Sequence, residues 1–304
     1  MIQLFIEQGL NGLQFGLMLF LLAAGLTLVF GIMDMINLAH GSLYMVGAYL
    51  AAAVTQASGS FITGILFAMA GTAILGALLE TVLLRRLYAR NHLAQVLATF
   101  ALILIANELV RIIWGEQALL LNAPEALAGP VKLGGFYYPA YRLLIIGVGL
   151  GVAALLYVLV TRTRVGMWVR AGASNREMTE ALGINVRLLF TAVFALGATL
   201  CALAGALLGP LLAVQVGMGE SILILAFVVI VIGGIGSIRG ALVGSLLVGL
   251  VDTLGRATLP MLLRHLFSAE VASNLGPALA SILIYVLMAA ILFWRPEGLF
   301  PARS

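Results

Sequence analysis

Leu10-Asn-Gly-Leu-Gln-Phe-Gly-Leu-Met-Leu-Phe-Leu-Leu-Ala-Ala-Gly-Leu-Thr-Leu-Val-Phe-Gly-Ile-Met33 contains no charged side chain. It is longer than the roughly 20 apolar residues that carry a helix across the hydrocarbon core of a bilayer. Outward from it the pattern repeats. Met35 to Leu79 is also charge-free, too long for one span, and divided by the polar Thr55-Gln-Ala-Ser-Gly-Ser60. Further apolar stretches run from about Ala94 to Trp114, Leu143 to Thr161, Leu188 to Val214, Ser221 to Ile235, Ala241 to Val251 and Pro277 to Trp294. Gly233-Gly-Ile-Gly-Ser-Ile-Arg-Gly240 breaks the pair around 221–251. The fold class expected is all-α: a polytopic integral membrane helical bundle with glycine-broken helices. Nine spans are expected, or eight if one is re-entrant.

Composition points the same way. Of 304 residues, 63% are apolar and 9% charged, and the mean hydropathy is +1.16, whereas soluble chains run near half apolar and a quarter charged. Too little polar material exists to cover a water-facing surface. Thirty-five glycines suit membrane helices that pack closely. Cys201 is the single cysteine and cannot form an internal disulfide. No basic region precedes the first apolar run, so no cleavable signal peptide is expected.

The ionisable inventory excludes whole function classes. Lys132 is the only lysine, set in Gly-Pro-Val-Lys-Leu rather than in the G-x-x-x-x-G-K-[ST] phosphate loop. His40, His92 and His265 are far apart, with no cysteine–histidine cluster, so no metal site is expected. No G-x-S-x-G elbow appears, and no catalytic residue or cofactor is expected. The net charge of +4 forms no stripe suited to nucleic acid.

Cytoplasmic loops carry an excess of lysine and arginine. Placing Arg85, Arg86 and Arg90 in the cytoplasm puts Arg162, Arg164, Arg170, Arg176, Arg187, Arg239, Arg295 and Arg303 there by alternation. The other side receives Arg111, Lys132, Arg142, Arg256 and Arg264. This split expects a cytoplasmic C-terminus and leaves the side of the N-terminus to the span count.

Residues 162–187 form the longest cytoplasmic segment. Ser174-Asn-Arg-Glu177 fits an S-x-x-E capping box, and Gly183 is placed to end the helix in the left-handed conformation. Met178, Ala181 and Leu182 fall on one apolar face, flanked by Arg176 and Glu180 at i, i+4. So short a helix is marginal alone in water. Its face either folds back on the membrane domain or enters a partner's groove.

Gly31-Ile-Met-Asp-Met-Ile-Asn-Leu-Ala-His-Gly-Ser-Leu-Tyr-Met-Val-Gly-Ala-Tyr-Leu50 resembles the signature of branched-chain amino acid ABC-transporter permeases of the high-affinity uptake type. Gly166 to Asn185, Ala202-Leu-Ala-Gly-Ala206 and Ile232 to Gly244 match in order, so the resemblance covers nearly the whole chain. It implies one permease domain over 1–304, with residues 162–187 as a coupling segment. It also implies a multi-pass subunit of the bacterial inner membrane that forms a translocation path and has no ATP site of its own. The implied partners are a second, usually different permease, two cytoplasmic ATPases, a periplasmic binding protein and membrane lipid. Arg176, Glu177, Met178, Glu180, Ala181, Leu182 and Gly183 are the implied contacts to the ATPase. Glu180-Ala-Leu-Gly183 is a shortened form of the general ABC importer loop, and Arg239 stands where relatives often have proline. Relatives also carry urea, amides and aromatic acids, so the resemblance does not fix the substrate.

Polar groups within apolar stretches must be paired or lie along a wet path. Asn37, His40, Ser42 and Tyr44 either line such a path or bond neighbouring helices and turns. Asn107 and Glu108 are placed to meet the ammonium of an amino acid near the outer mouth, and Arg111 its carboxylate. Self-pairing of Glu108 with Arg111, and of Asp252 with Arg256, is the other reading. Gly233, Gly234 and Gly236 suit a broken helix at a binding site or close packing. An autonomous secondary transporter or channel for a small polar solute is the competing function. It would want intramembrane carboxylates for ion coupling, and it gives the capped cytoplasmic helix no purpose.

Overall fold

The structure, a computed structural model, describes residues 2–300; Arg303 lies outside them. In chain order the helices are α1 Ile2–Met33, α2 His40–Ser58, α3 Phe61–Leu79, α4 Arg85–Leu87, α5 His92–Trp114, α6 Ala140–Arg162, α7 Arg164–Ser174, α8 Arg176–Ala181, α9 Val186–Leu208, α10 Met218–Gly233, α11 Ile238–Leu263 and α12 Ala269–Trp294. A π turn, Glu80–Leu84, joins α3 to α4. A small antiparallel hairpin, β1 Pro130–Leu133 and β2 Phe136–Pro139, sits between α5 and α6. The apolar pattern did not announce it.

Every apolar stretch read from the sequence contains a helix, as an all-α bundle requires, although the one read as Leu188–Val214 leaves α9 at Leu208 and Val214 pairs with Leu119 as a strand bridge. Seven helices are long and apolar enough to cross a membrane, and α10 is a shorter apolar helix of 16 residues. The boundaries follow local chemistry. Gly59 caps α2 in the left-handed conformation (φ 70°), and the Ser60 side chain accepts from the Thr63 amide to start α3. Ser237 caps α11 in the same way, immediately after the glycine break.

α1 is the central post. Leu17 to Leu26 is buried throughout, and α1 packs against α6, α9, α10 and above all α11. Small residues set these distances. A methyl on Gly249 would lie 2.5 Å from the Gly12 carbonyl oxygen, and one on Gly233 would lie 2.3 Å from that of Gly240. In contrast, α3, α5, α6 and α12 turn outward side chains such as Ile62, Leu66, Ile74, Leu97, Ile112, Leu155 and Phe293. A bundle that is apolar on its outside is solvated by lipid.

Two ends can be told apart. One carries the hairpin, where Tyr138 donates to Asn11 near the start of α1 and Tyr141 donates to the Leu207 carbonyl at the end of α9. The other carries α7 and α8, the end of α1 and the last described residues, whose Phe300 amide donates to the Gly233 carbonyl.

The cap of α8 departs from expectation. Ser174 is the last residue of α7, and the cap is Asn175. Its backbone is extended (φ −152°, ψ 103°) and its side chain accepts from the Met178 amide at 2.9 Å. α7 runs on through Ser174, which removes the extended backbone an N-cap needs. Gly183 is left-handed (φ 83°) as read.

Candidate functional site

Two helices begin inside the bundle rather than at its ends. After α1, Asp34 turns left-handed (φ 48°), and the chain doubles back to begin α2 beside Gly25 and Gly197. Gly25 lies two turns before the end of α1, roughly 12 Å along the helix. The Asn37 side chain accepts from the Ala39 amide at 3.1 Å and fixes this entry. α10 likewise begins at the level of α2, with the Gly217 amide against the Met45 sulfur at 3.3 Å. Gly41 and Gly219 cross so closely that a methyl on Gly41 would meet the Gly219 carbonyl oxygen at 2.4 Å.

Between these two starts and α5 lies a shallow crevice. Apolar Leu38, Met45, Ile103 and Leu223 line it together with Gly41, Gly219, Ser42, Asn107 and Glu220. The Asn107 amide donates to Glu220 at 2.6 Å. Paired strand backbone from Leu119 and Val214 ties the segment before α10 to the one after α5.

The expected path residues therefore divide. Ser42 and Asn107 come together in the crevice. His40 and Tyr44 lie on the opposite face of α2, buried against α9. The Leu22 carbonyl lies close to His40, but neither ring nitrogen completes a well-formed hydrogen bond. Asn37 is buried in the turn before α2. Glu108 points away from the crevice and bonds Arg111 at 2.8 Å, as the self-pairing reading has it. Asp252 and Arg256 also pair at 2.8 Å. Gly233, Gly234 and Gly236 lie at the far end of α10. There Gly234 (φ 102°) packs against the Phe300 and Glu297 carbonyls and Gly236 (φ 82°) packs on Gly31.

The α7–α8 end holds a second constellation. Met178, Ala181 and Leu182 are all exposed, Leu182 at 73%, and it is Thr179 that turns inward. Arg176 and Glu180 approach to 3.6 Å; Glu177 is exposed. The Arg176 guanidinium also covers the ring of Phe190 at 4.9 Å. Phe190 meets Tyr88 edge-on at 5.8 Å, and the Tyr88 hydroxyl donates to Glu80 at 2.9 Å. Glu80 is fully buried. It takes Arg85 at 2.8 Å and the Thr191 hydroxyl at 2.6 Å. Burial and the neighbouring Glu80 carboxylate both push the Tyr88 phenol up, which keeps it a donor.

The sequence reading missed Glu80 and Glu220. Each stands at the edge of an apolar run and was read as a boundary. Among the described residues no group of histidine, cysteine or carboxylate side chains could hold a metal ion.

Known proteins share this chain's pattern. It is 30% identical to the high-affinity branched-chain amino acid transport system permease protein BraD of Pseudomonas aeruginosa, over 97% of this chain and 95% of that protein. It is 29% identical to the permease protein LivH of Escherichia coli K12, over 96% of both. The probable LivH permease of Methanocaldococcus jannaschii is 29% identical over 78% of this chain and 76% of its own. No solved structure matches. The family described as branched-chain amino acid transport system / permease component matches residues 9–292. With its multi-pass apolar helices, and with α2 and α10 beginning inside the bundle, the chain belongs to that family and is a transporter subunit of the ABC importer type rather than an enzyme.

Proposed function

We propose that the chain forms one permease domain, with residues 162–187 as its coupling segment, and carries a branched-chain or related amino acid through the crevice between α2, α5 and α10. The observation that carries this reading is the meeting of Ser42, Asn107 and Glu220 where two helices begin inside an otherwise apolar bundle. Helices that begin inside a membrane bundle expose polar groups at depth, as the half-helices of transporter sites typically do. Asn37, His40 and Tyr44 support the start of α2, while Gly233, Gly234 and Gly236 give α10 a pivot at its far end.

The path has nine crossings, with α2 and α10 counted, an external N-terminus and a cytoplasmic C-terminus in the bacterial inner membrane. Support comes from the described ends of the chain lying at opposite ends of the bundle and from the basic residues gathered at the α7–α8 end. The crevice is open to one side, which suits closure by a second permease. A periplasmic binding protein delivers the substrate and two ATPases drive its passage.

Met178, Ala181 and Leu182 dock on the ATPase, positioned by Arg176, Glu177, Glu180 and Gly183. Fully burying a leucine-sized side chain is worth about 1.5–3 kcal/mol, and each ~1.4 kcal/mol is tenfold in affinity. Leu182→Glu therefore weakens co-purification of the ATPase by on the order of tenfold to several hundredfold, while membrane insertion is retained. A Leu182→Glu complex that assembles and hydrolyses ATP as the wild type does would overturn the docking assignment.

A further inference from the structure

Five carboxylates lie within or at the edge of the long apolar segments: Asp34, Glu80, Glu108, Glu220 and Asp252. Three are neutralised inside the chain, by Arg85, Arg111 and Arg256, each at 2.8 Å. Among the described residues Asp34 and Glu220 have no such pair, and of the five carboxylates Glu220 is the one that lines the crevice. It has no cationic partner there, and its side-chain bond is to the neutral amide of Asn107.

Glu220 is exposed beside apolar Leu38, Met45, Ile103 and Leu223, so a cation entering the crevice can reach it without displacing an ion pair. The surroundings also specify which cation fits. The Asn107 amide spends a donor on one Glu220 oxygen, leaving the second carboxylate oxygen, the Asn107 carbonyl oxygen and the Ser42 hydroxyl as acceptors in the same crevice. A primary ammonium carries three N–H donors and no acceptor, which matches that set. The aliphatic lining suits a branched hydrocarbon side chain. The Gly41–Gly219 crossing keeps the floor free of side chains.

We infer that Glu220 is the binding residue for the α-ammonium of the amino acid in transit, with Asn107 orienting its carboxylate. This rests on the proposed path. It replaces Glu108 in the ammonium role, because Glu108 is occupied by Arg111 and lies outside the crevice.

The test is leucine uptake by the complete complex in proteoliposomes, with this chain, its partner permease, the ATPases and the binding protein present, and radiolabelled leucine as the probe. The readout is leucine moved per ATP hydrolysed, which a merely structural role would leave unchanged. Glu220→Gln lowers that ratio about tenfold or more, the loss expected when a charge-assisted hydrogen bond becomes a neutral one. Glu220→Asp, which keeps the charge, retains most of it. Glu125→Gln, exposed and outside the crevice, matches wild type. An unchanged ratio in Glu220→Gln overturns the assignment. So does a complex that assembles with aspartate but not with glutamine, since that gives the carboxylate to a cation on the second permease. A wild-type complex that moves no leucine sinks the transport reading itself, and this one with it, before any variant is compared.

Discussion

The guanidinium of Arg176 rests 4.9 Å from the centre of the Phe190 ring, joining α8 to the first turns of α9. From Phe190 the contacts run to Tyr88, whose hydroxyl lies 2.9 Å from Glu80 and 3.3 Å from the sulfur of Met33, at the end of α1. A short helix with an exposed face is thus held to the turn from which α2 is launched.

Arg176→Gln removes that anchor. A cation–π contact at a partly exposed site is worth about 0.5–1 kcal/mol, and the ion pair to Glu180 adds little at 42% and 47% exposure. Amide hydrogen exchange over residues 176–182 is expected to quicken roughly two- to fivefold, with α9 unaffected beyond its first turn. Unchanged exchange would show that Asn175 and Thr179 alone hold α8.

The Glu80–Arg85 pair is unequal, and its variants differ in cost. Glu80 is fully buried, whereas Arg85 keeps 32% of its side chain exposed. Arg85→Ala strands a buried carboxylate and costs about 3 kcal/mol. Glu80→Gln leaves an arginine that water can reach and costs about 1 kcal/mol. Unfolding in mixed micelles ranks the two, and the reverse order would contradict this account.

Gly41→Ala and Gly219→Ala each press a methyl onto backbone, at 2.4 Å and 2.1 Å from the opposing carbonyl oxygen. Backbone cannot step aside as a flexible side chain does. Either variant is expected to cost about 1–3 kcal/mol and to reduce transport. Gly147→Ala meets nothing within 4 Å and serves as the control; heat-induced aggregation in detergent separates them.

Orientation is open to labelling. In a Cys201→Ala background, an impermeant thiol reagent applied to intact cells is expected to label a cysteine at Asn122 and to spare one at Ala173. Both positions are exposed, and neither caps a helix. Labelling of position 173 from outside reverses the topology and removes the ATPase-docking proposal.

The helices were legible because apolar runs of membrane length leave few alternatives. The starts of α2 and α10 were only half legible. Asn37, His40 and the glycines marked irregularity, but which face of α2 each side chain takes depends on α9 and α10, far away in sequence. Ser42 could be placed near a path from its depth alone, whereas its meeting with Asn107 and Glu220 needs three helices brought together. Glu80 and Arg85 escaped notice for a sharper reason. They are five apart, a spacing an ordinary α-helix puts on different faces, and only the π turn between them makes them neighbours.

That turn has a consequence for sequence length. Removing any one residue from 81–84 would let α3 and α4 merge into a regular helix, shorter by about 1.5 Å and with more conventional hydrogen bonds. The facing of everything beyond the deletion would be nearly kept, because a π turn winds five residues through about the angle an α-helix covers with four, and Arg85 would stand at i+4 from Glu80, still its neighbour. A loss of one codon between Thr81 and Leu84 would thus spare both the helix and its links to the α7–α8 end, whereas the same loss inside α3 would turn Glu80 away from Thr191.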